Sequence, residues 1–245
     1  LSALRNIKLT IEYDGTLFAG WQRQKRERTV QGELEKALEK LTQEKVNLIA
    51  AGRTDSGAHA LGQVANFKTK LNLPVEKFFP ALNSLLPRDI LVKRVEKVSL
   101  EFNSRRDAKS KVYRYRILLG QSALHRGYFW PYRFPVNLIS VRRATKVILG
   151  EHDFSSFCVA KSKKESNICR IKRANWKKSG NFLELEIEGN RFLRSMIRIL
   201  VGTLLEVGRG KIKPQEFQRI LQAKDRRRAG RTAPACGLYL VEVKF

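Results

Sequence analysis

The sequence predicts an α+β fold built as two successive units, each a sheet packed on helices. Three observations carry this. Residues 6–13 alternate, with Ile7, Leu9, Ile11 and Tyr13 on one side and Lys8, Thr10 and Glu12 on the other, the period-two pattern of a half-buried strand. The N-terminal hundred or so residues order their signals as β-α-β-β-α-β. The remainder repeats the theme loosely and closes on a further strand, with no internal repeat strong enough to mark a duplication. A chain of 245 residues accommodates one large or two small domains, and the boundary is placed between 103 and 104.

Each element has its local reason. After the first strand, residues 14–28 form a polar and basic loop around Trp21. Thr29 is suited to cap a helix whose Val30, Leu34, Ala37, Leu38 and Leu41 share a face. Residues 46–51 read as a short strand, 52–62 as a loop and 63–69 as a strand. A helix over 74–84 follows, then a turn at 85–89 and a strand over 90–98. In the second half, residues 111–119 alternate, with Val112, Arg114 and Arg116 opposite Tyr113, Tyr115 and Ile117. A helix covers 138–149, and residues 169–176 and 182–187 pair as strands joined near Ser179 and Gly180. Asn190 is expected to cap a helix that turns Phe192, Met196, Ile199, Leu200 and Val207 inward. Pro214 opens a short helix ending near 223, and 238–245 is the terminal strand.

Composition limits the function classes. The chain is 42% hydrophobic and 29% charged, enough for a packed core and unlike a disordered chain. Its 49 basic residues against 23 acidic ones give a net charge of +26, beyond the roughly 2–8 that solubility asks of a small domain. A polyanionic partner is implied, nucleic acid ahead of an anionic membrane. No run approaches the ~20 apolar residues of a spanning helix. The first residues alternate as a strand does and lack the apolar core of a signal peptide. Cys158, Cys169 and Cys236 form no Cys-x-x-Cys pair, so neither structural zinc nor a disulfide framework is expected, and cytoplasmic residence is the default.

The charge is concentrated in three segments: 105–116 with Arg105, Arg106, Lys109, Lys111, Arg114 and Arg116; 161–178 with eight cations; and 209–231 with the triplet Arg226, Arg227 and Arg228. One such run is ordinarily a solvated face. Three, interleaved with Tyr113, Tyr115 and Trp176, favour nucleic acid, with binding that weakens steeply in salt. The absence of helix-turn-helix and zinc-finger signatures favours RNA over the bases of DNA, and no RNP1-like strand supports an ordinary RRM. No Walker loop or GxGxxG occurs, so no nucleotide cofactor is expected.

The segment 51–60, Ala-Gly-Arg-Thr-Asp-Ser-Gly-Ala-His-Ala, reads physically as a loop, and Asp55-Ser56-Gly57 is turn chemistry. Alone, it is as well explained as a polar connection. Its functional content is a carboxylate flanked by Arg53 and by small residues that let a bulky substrate approach.

The octet 52–59 resembles the signature of the TruA family of tRNA pseudouridine synthases. The resemblance extends in order along the chain: 11–15 and 20–24, Val30-Gln31, 109–115, 192–198 with Val201-Gly202, and 237–240. It implies a pseudouridine synthase fold of two ferredoxin- or RRM-like α+β units, forming a largely antiparallel mixed sheet with helices on one side. It implies an isomerase that converts uridine to pseudouridine at positions 38 to 40 of the tRNA anticodon stem-loop, acting without a metal or cofactor as a homodimer around a basic cleft. By resemblance, Asp55 is the catalytic aspartate, Tyr113 the tyrosine that stacks on the target base and Arg198 the arginine that pairs with that aspartate. Arg53 helps hold the flipped nucleotide, and Leu238 is an apolar pocket residue. Without the resemblance, Tyr113 reads as a core aromatic and Arg198 as the polar face of a helix. His59, Arg105, Lys111, Arg114, Arg226 and Arg227 complete the candidate substrate contacts, although the sequence assigns His59 no partner as an acid or base. The rival class is a non-catalytic RNA-binding protein or RNA chaperone on the same scaffold. A ribosomal or nucleoid structural protein fits less well, lacking long basic tails.

Overall fold

A computed structural model describes residues 3–159 and 166–245. The chain divides into two compact units, Leu1–Lys109 with Tyr239–Phe245, and Ser110–Leu238.

The first unit runs β1 (Arg5–Tyr13), α1 (Val30–Thr42), β2 (Ile49–Ala50), β3 (His59–Thr69), α2 (Val75–Leu85) and β4 (Ile90–Val98). This is the expected β-α-β-β-α-β order. Strand β1 lies between β3 and β4, antiparallel to both, and β2 is antiparallel to β3. The predicted inward face of β1 is the core, with Ile7, Leu9 and Ile11 inaccessible and Tyr13 2% exposed. Thr29 caps α1 by accepting from the Gly32 amide, which satisfies one of the orphan donors of a helix start. The inward faces of the helices are Val30, Leu34, Ala37 and Leu38 on α1 and Phe78 and Leu82 on α2, and Phe78 meets Phe67 of β3 edge-on. One boundary is corrected. Strand β3 begins at His59, inside the expected loop, because His59 and Ala60 pair with the C-terminal strand. That strand, β10 (Leu238–Lys244), sets Tyr239 opposite His59 and Leu240 opposite Ala60 in a parallel ladder.

The second unit runs β5 (Ser110–Leu119), β6 (Trp130–Tyr132), α3 (Leu138–Thr145), β7 (Gly150–Asp153), β8 (Ile168–Ser179), β9 (Phe182–Gly189), α4 (Met196–Gly208) and α5 (Pro214–Ala223). The sheet order is β6-β5-β9-β8-β7, antiparallel except for β5 with β6. The β8–β9 hairpin turns on Gly180 at φ +57, the first position of a two-residue loop, where a positive φ favours glycine. Two expectations are corrected. The predicted helix over 138–149 is α3 and one 3₁₀ turn, after which Gly150, at φ +90, starts β7. Asn190 does not cap α4: its side chain accepts from the Arg170 amide, and the helix begins at Met196 behind Ser195. Helix α4 is almost wholly buried. No helix of the described residues is long and apolar enough to cross a membrane.

Candidate active site

In the first unit, Asp55 sits on a turn whose ends are closed by Ala58 N donating to Asp55 O at 3.1 Å. Gly57 occupies the third position at φ +77, where a type II turn demands glycine. The turn is clamped by the loop after β1. Trp21 N donates to Thr54 O at 3.2 Å and Gly57 N to Phe18 O at 3.2 Å. The Ser56 hydroxyl also donates to Phe18 O. Below it, the Tyr13 hydroxyl meets Thr54 Oγ1 at 2.8 Å, and Gln63 donates to Gly52 O at 2.8 Å. Burial pushes the Tyr13 phenol well above its ordinary pKa, so it works as a neutral hydrogen-bonding group. Gly15 and Gly20 admit the close approach. A Cβ on Gly15 would lie 1.9 Å from Ala58 O, and one on Gly20 2.8 Å from Thr54 O. The backbone of the Asp55 turn is fixed from two sides, while Asp55 is partly exposed and Arg53 exposed.

His59 belongs to the support of this turn. It is 2% exposed and its ring stacks on Tyr239 at 4.6 Å and 17°. Nδ1 accepts from the Gly15 amide at 3.1 Å and lies 3.1 Å from Asp14 Oδ1. A nitrogen accepting from an amide carries no proton, so the Gly15 contact describes neutral His59 and the ion pair with Asp14 requires the protonated ring.

The supporting partners were the part that sequence reasoning missed. Glu35 on α1 is 3% exposed. Its Oε1 accepts from Gln31 and from Leu48 N, and Oε2 lies 3.1 Å from the Arg23 guanidinium. Arg23 N donates to Gln31 Oε1, and Gln31 N donates to Trp21 O. This network ties the clamping loop to the helix. The signal available in the sequence was Gln31 and Glu35 four residues apart on a helix, the spacing of facing side chains.

In the second unit, Tyr113 on β5 is 6% exposed and edge-on to Phe192 at 5.1 Å and 77°. Arg198 on α4 donates from Nε to Ala233 O at 2.7 Å, and Ala233 N donates to Arg198 O at 3.0 Å. Segment 229–234 is a meeting point. The Tyr115 hydroxyl donates to Pro234 O at 2.6 Å, Gly230 N to Thr203 Oγ1 at 3.0 Å, and Arg226 to Ala229 O and Thr232 Oγ1. A Cβ on Gly202 would lie 1.9 Å from Arg231 O. Leu238, 6% exposed, follows this segment.

The basic candidates separate by their partners. Arg105 is exposed and Lys111 half-buried. Arg114 pairs with Glu186 at 3.0 Å and Arg116 with Glu184 at 2.8 Å, across the β5–β9 ladder. Arg226 is half-buried in its brace, and burial lowers its guanidinium from the ordinary value. Arg227 is exposed and paired with Asp225 at 2.9 Å, whose carboxyl its hydrogen bonds pull down to about 2. Of the expected run 161–178, residues 161–165 lie outside the described residues.

The family model described as tRNA pseudouridine synthase matches residues 9–106 and 144–245. The chain is 46% identical over 244 residues to tRNA pseudouridine synthase A of Caldicellulosiruptor bescii, covering 99% of this chain and 100% of that protein. It is 47% identical over 244 residues to that of Acetivibrio thermocellus, with the same coverage. To the Bacillus subtilis protein of that name it is 44% identical over 243 residues, 98% of each chain. These matches set aside the non-catalytic alternatives, and the chain belongs to the TruA family of tRNA pseudouridine synthases, which are isomerases.

Proposed function

We propose that this enzyme isomerises uridine at positions 38, 39 or 40 of the tRNA anticodon stem-loop, with Asp55 as the catalytic carboxylate. The observation that carries the reading is the Asp55 turn itself: its peptide backbone is clamped on both sides, yet the residue stays partly open. Pre-set geometry of this kind lowers the reorganisation needed at the moment of reaction.

The chemistry asks little more. The N1–C1′ bond breaks, the base turns, and C5 joins C1′. A proton leaves C5 and one is gained at N1, so the conversion is redox-neutral and needs no external energy source. The uridine is stacked in a helix and must be flipped out, at an unstacking cost of a few kcal/mol recovered through stacking and phosphate contacts. Attack at C1′, addition at C6 and removal of a sugar proton all need an ionised oxygen on Asp55. Arg198 is the cationic partner, since a guanidinium orients both oxygens of a carboxylate. Tyr113 offers its ring to the base and stands as a candidate acceptor of the C5 proton. Arg53 holds the extruded nucleotide, and Leu238 contributes apolar wall. Arg105, Lys111 and Arg227 lie in the basic runs read as the phosphate footprint, Arg114 in the same runs is balanced by Glu186, and His59 and Arg226 serve by holding backbone. A cytoplasmic homodimer completes the reading.

The test is tritium release from tRNA labelled at C5 of uridine, with wild type and Asp55→Asn, and filter binding run alongside. Release by the wild type alone, with binding intact in both, is the expected result. Turnover by Asp55→Asn would refute it. Mapping the pseudouridines tests the positions.

A further inference from the structure

The β8–β9 hairpin borders a cavity that the isomerisation leaves unused. It is an open cleft of about 310 Å³ lined by Arg116, Phe129, Lys177, Ser179, Phe182 and Glu184, at the small end of ligand clefts. Its apolar wall is an aromatic cluster. Phe129 and Phe182 stand 5.0 Å apart at 48°, and His125 meets both edge-on at 5.3 and 5.4 Å. Its rim is cationic. The Arg116 guanidinium lies 4.9 Å over the Phe129 ring and donates to Glu184 at 2.8 Å. Glu184 is thereby neutralised. Lys177, opposite Glu184 in the β8–β9 register, is exposed and forms no ion pair among the described residues. Arg116 and Tyr113 are an odd number of residues apart on β5, so they project from opposite faces of the strand. Arg116 therefore reaches the cavity from the face of β5 opposite Tyr113.

We propose that this cavity holds one unstacked nucleotide of the RNA substrate, with its base against Phe182 and its phosphate at Lys177. Every base presents a π-face, so an aromatic wall beside a cation is a sequence-tolerant site for a single-stranded nucleotide. The net charge of +26 and a family whose substrate is tRNA supply the occupant. An acidic peptide would satisfy Lys177 but leave the ring pair unused. The inference rests on tRNA binding and is independent of the role of Asp55, so a failure of Asp55→Asn to abolish turnover would leave it standing.

The test is equilibrium filter binding of a tRNA transcript to the full-length protein across a salt series. The variants are Phe182→Leu, Phe182→Tyr, Lys177→Glu and the charge-matched control Lys77→Glu at an exposed position of α2, with thermal melts confirming that each is folded. Phe182→Leu is expected to weaken binding about 5-fold or more, while Phe182→Tyr, which keeps the ring, stays within about 2-fold. Lys177→Glu is expected to weaken binding more than Lys77→Glu and to reduce the salt slope by about one contact. Wild-type affinity in Phe182→Leu, or equal effects of the two lysine reversals, would overturn the proposal.

Discussion

Gly15→Ala is the sharpest test of whether the clamp on the Asp55 turn matters for the reaction. A Cβ at this position would sit 1.9 Å from Ala58 O and 2.5 Å from Ala58 C. Ordinary contacts between carbon and its neighbours are about 3.5 Å, so the Ala58 peptide must retreat by about 1.5 Å. That peptide cannot move alone. Ala58 N is bonded to Asp55 O, and Gly15 N to the His59 ring. The displacement therefore passes to the turn. A misplacement of about 1 Å at a reacting group costs about 10²-fold in rate, so kcat is expected to fall about 100-fold. Contacts to the rest of the tRNA are untouched, and KM should stay within about threefold. The overpacking itself costs about 1–3 kcal/mol, a fall in Tm of about 2–12 °C for a chain of this size. The assay is tritium release from C5-labelled tRNA, with circular dichroism and a thermal melt confirming a folded variant. A folded Gly15→Ala enzyme with kcat within about threefold of wild type would refute the argument that the clamp positions Asp55.

The same steric logic applies to Gly202→Ala, where the Cβ would lie 1.9 Å from Arg231 O; it should push segment 229–234 off α4, lower kcat through Arg198, and reduce Tm. Arg226→Ala should cost about 1 kcal/mol in urea unfolding, because it removes partly exposed charge-assisted hydrogen bonds to Ala229 O and Thr232 Oγ1. Exposed Arg228→Ala should stay within about 0.5 kcal/mol, and equal effects would refute the division of the triplet. For Asp153, burial raises the pKa, but the Ser155 hydroxyl and amide and the Lys224 ammonium outweigh it and hold the carboxyl below its ordinary value. Its stabilisation is then complete above the unfolded pKa of about 3.9 and lost as pH falls through the folded value; acid titration should show wild type losing stability relative to Asp153→Asn over that range. Burial pushes the Cys169 thiol up to about 11 and raises Cys236, and Cys158 is buried. A thiol reagent at pH 8 should label the native protein slowly and all three cysteines at once in denaturant, and rapid native labelling would contradict the packing.

The legible parts of this fold were those in which one local rule decides. The alternation of Ile7, Leu9 and Ile11 became the core of β1, and Thr29 became the cap of α1, because neither outcome depends on a distant residue. The start of β3 depends on one. His59 and Ala60 are sheltered by a strand some 180 residues later, so both are buried and no alternation marks them. Asn190 failed for a related reason. Its side chain satisfies a cross-strand amide, Arg170 N, and a residue has one side chain to spend on either bond. The Asp55 turn was visible because Asp-Ser-Gly is local turn chemistry. Its clamp was not, because Gly15, Gly20 and Trp21 act through main-chain groups, and nothing local in segments 11–15 and 20–24 says which turn they hold.

Charge shows how a local reading of a run misleads. Counted along the chain, residues 105–116 hold six cations against Asp107, which suggests a surface waiting for phosphate. Across the sheet, Glu184 and Glu186 of β9 neutralise Arg114 and Arg116, and Glu186 and Glu188 reach Arg173 on the other side. These three carboxylates alternate along β9, so they share a face, and each strand pairing lays them beside cations of both neighbours. Arg114 and Arg116 of the first run and Arg173 of the second are thereby balanced within the sheet. The excess of +26 must then act on tRNA through cations left outside such ladders. Reversing Lys177 should accordingly reduce the salt slope of tRNA binding, while replacing Arg173, already balanced by Glu186 and Glu188, should change stability first and the slope little. A slope that fell equally for both would mean that tRNA breaks the ladder on binding, and the inward pairing would no longer identify which cations meet phosphate.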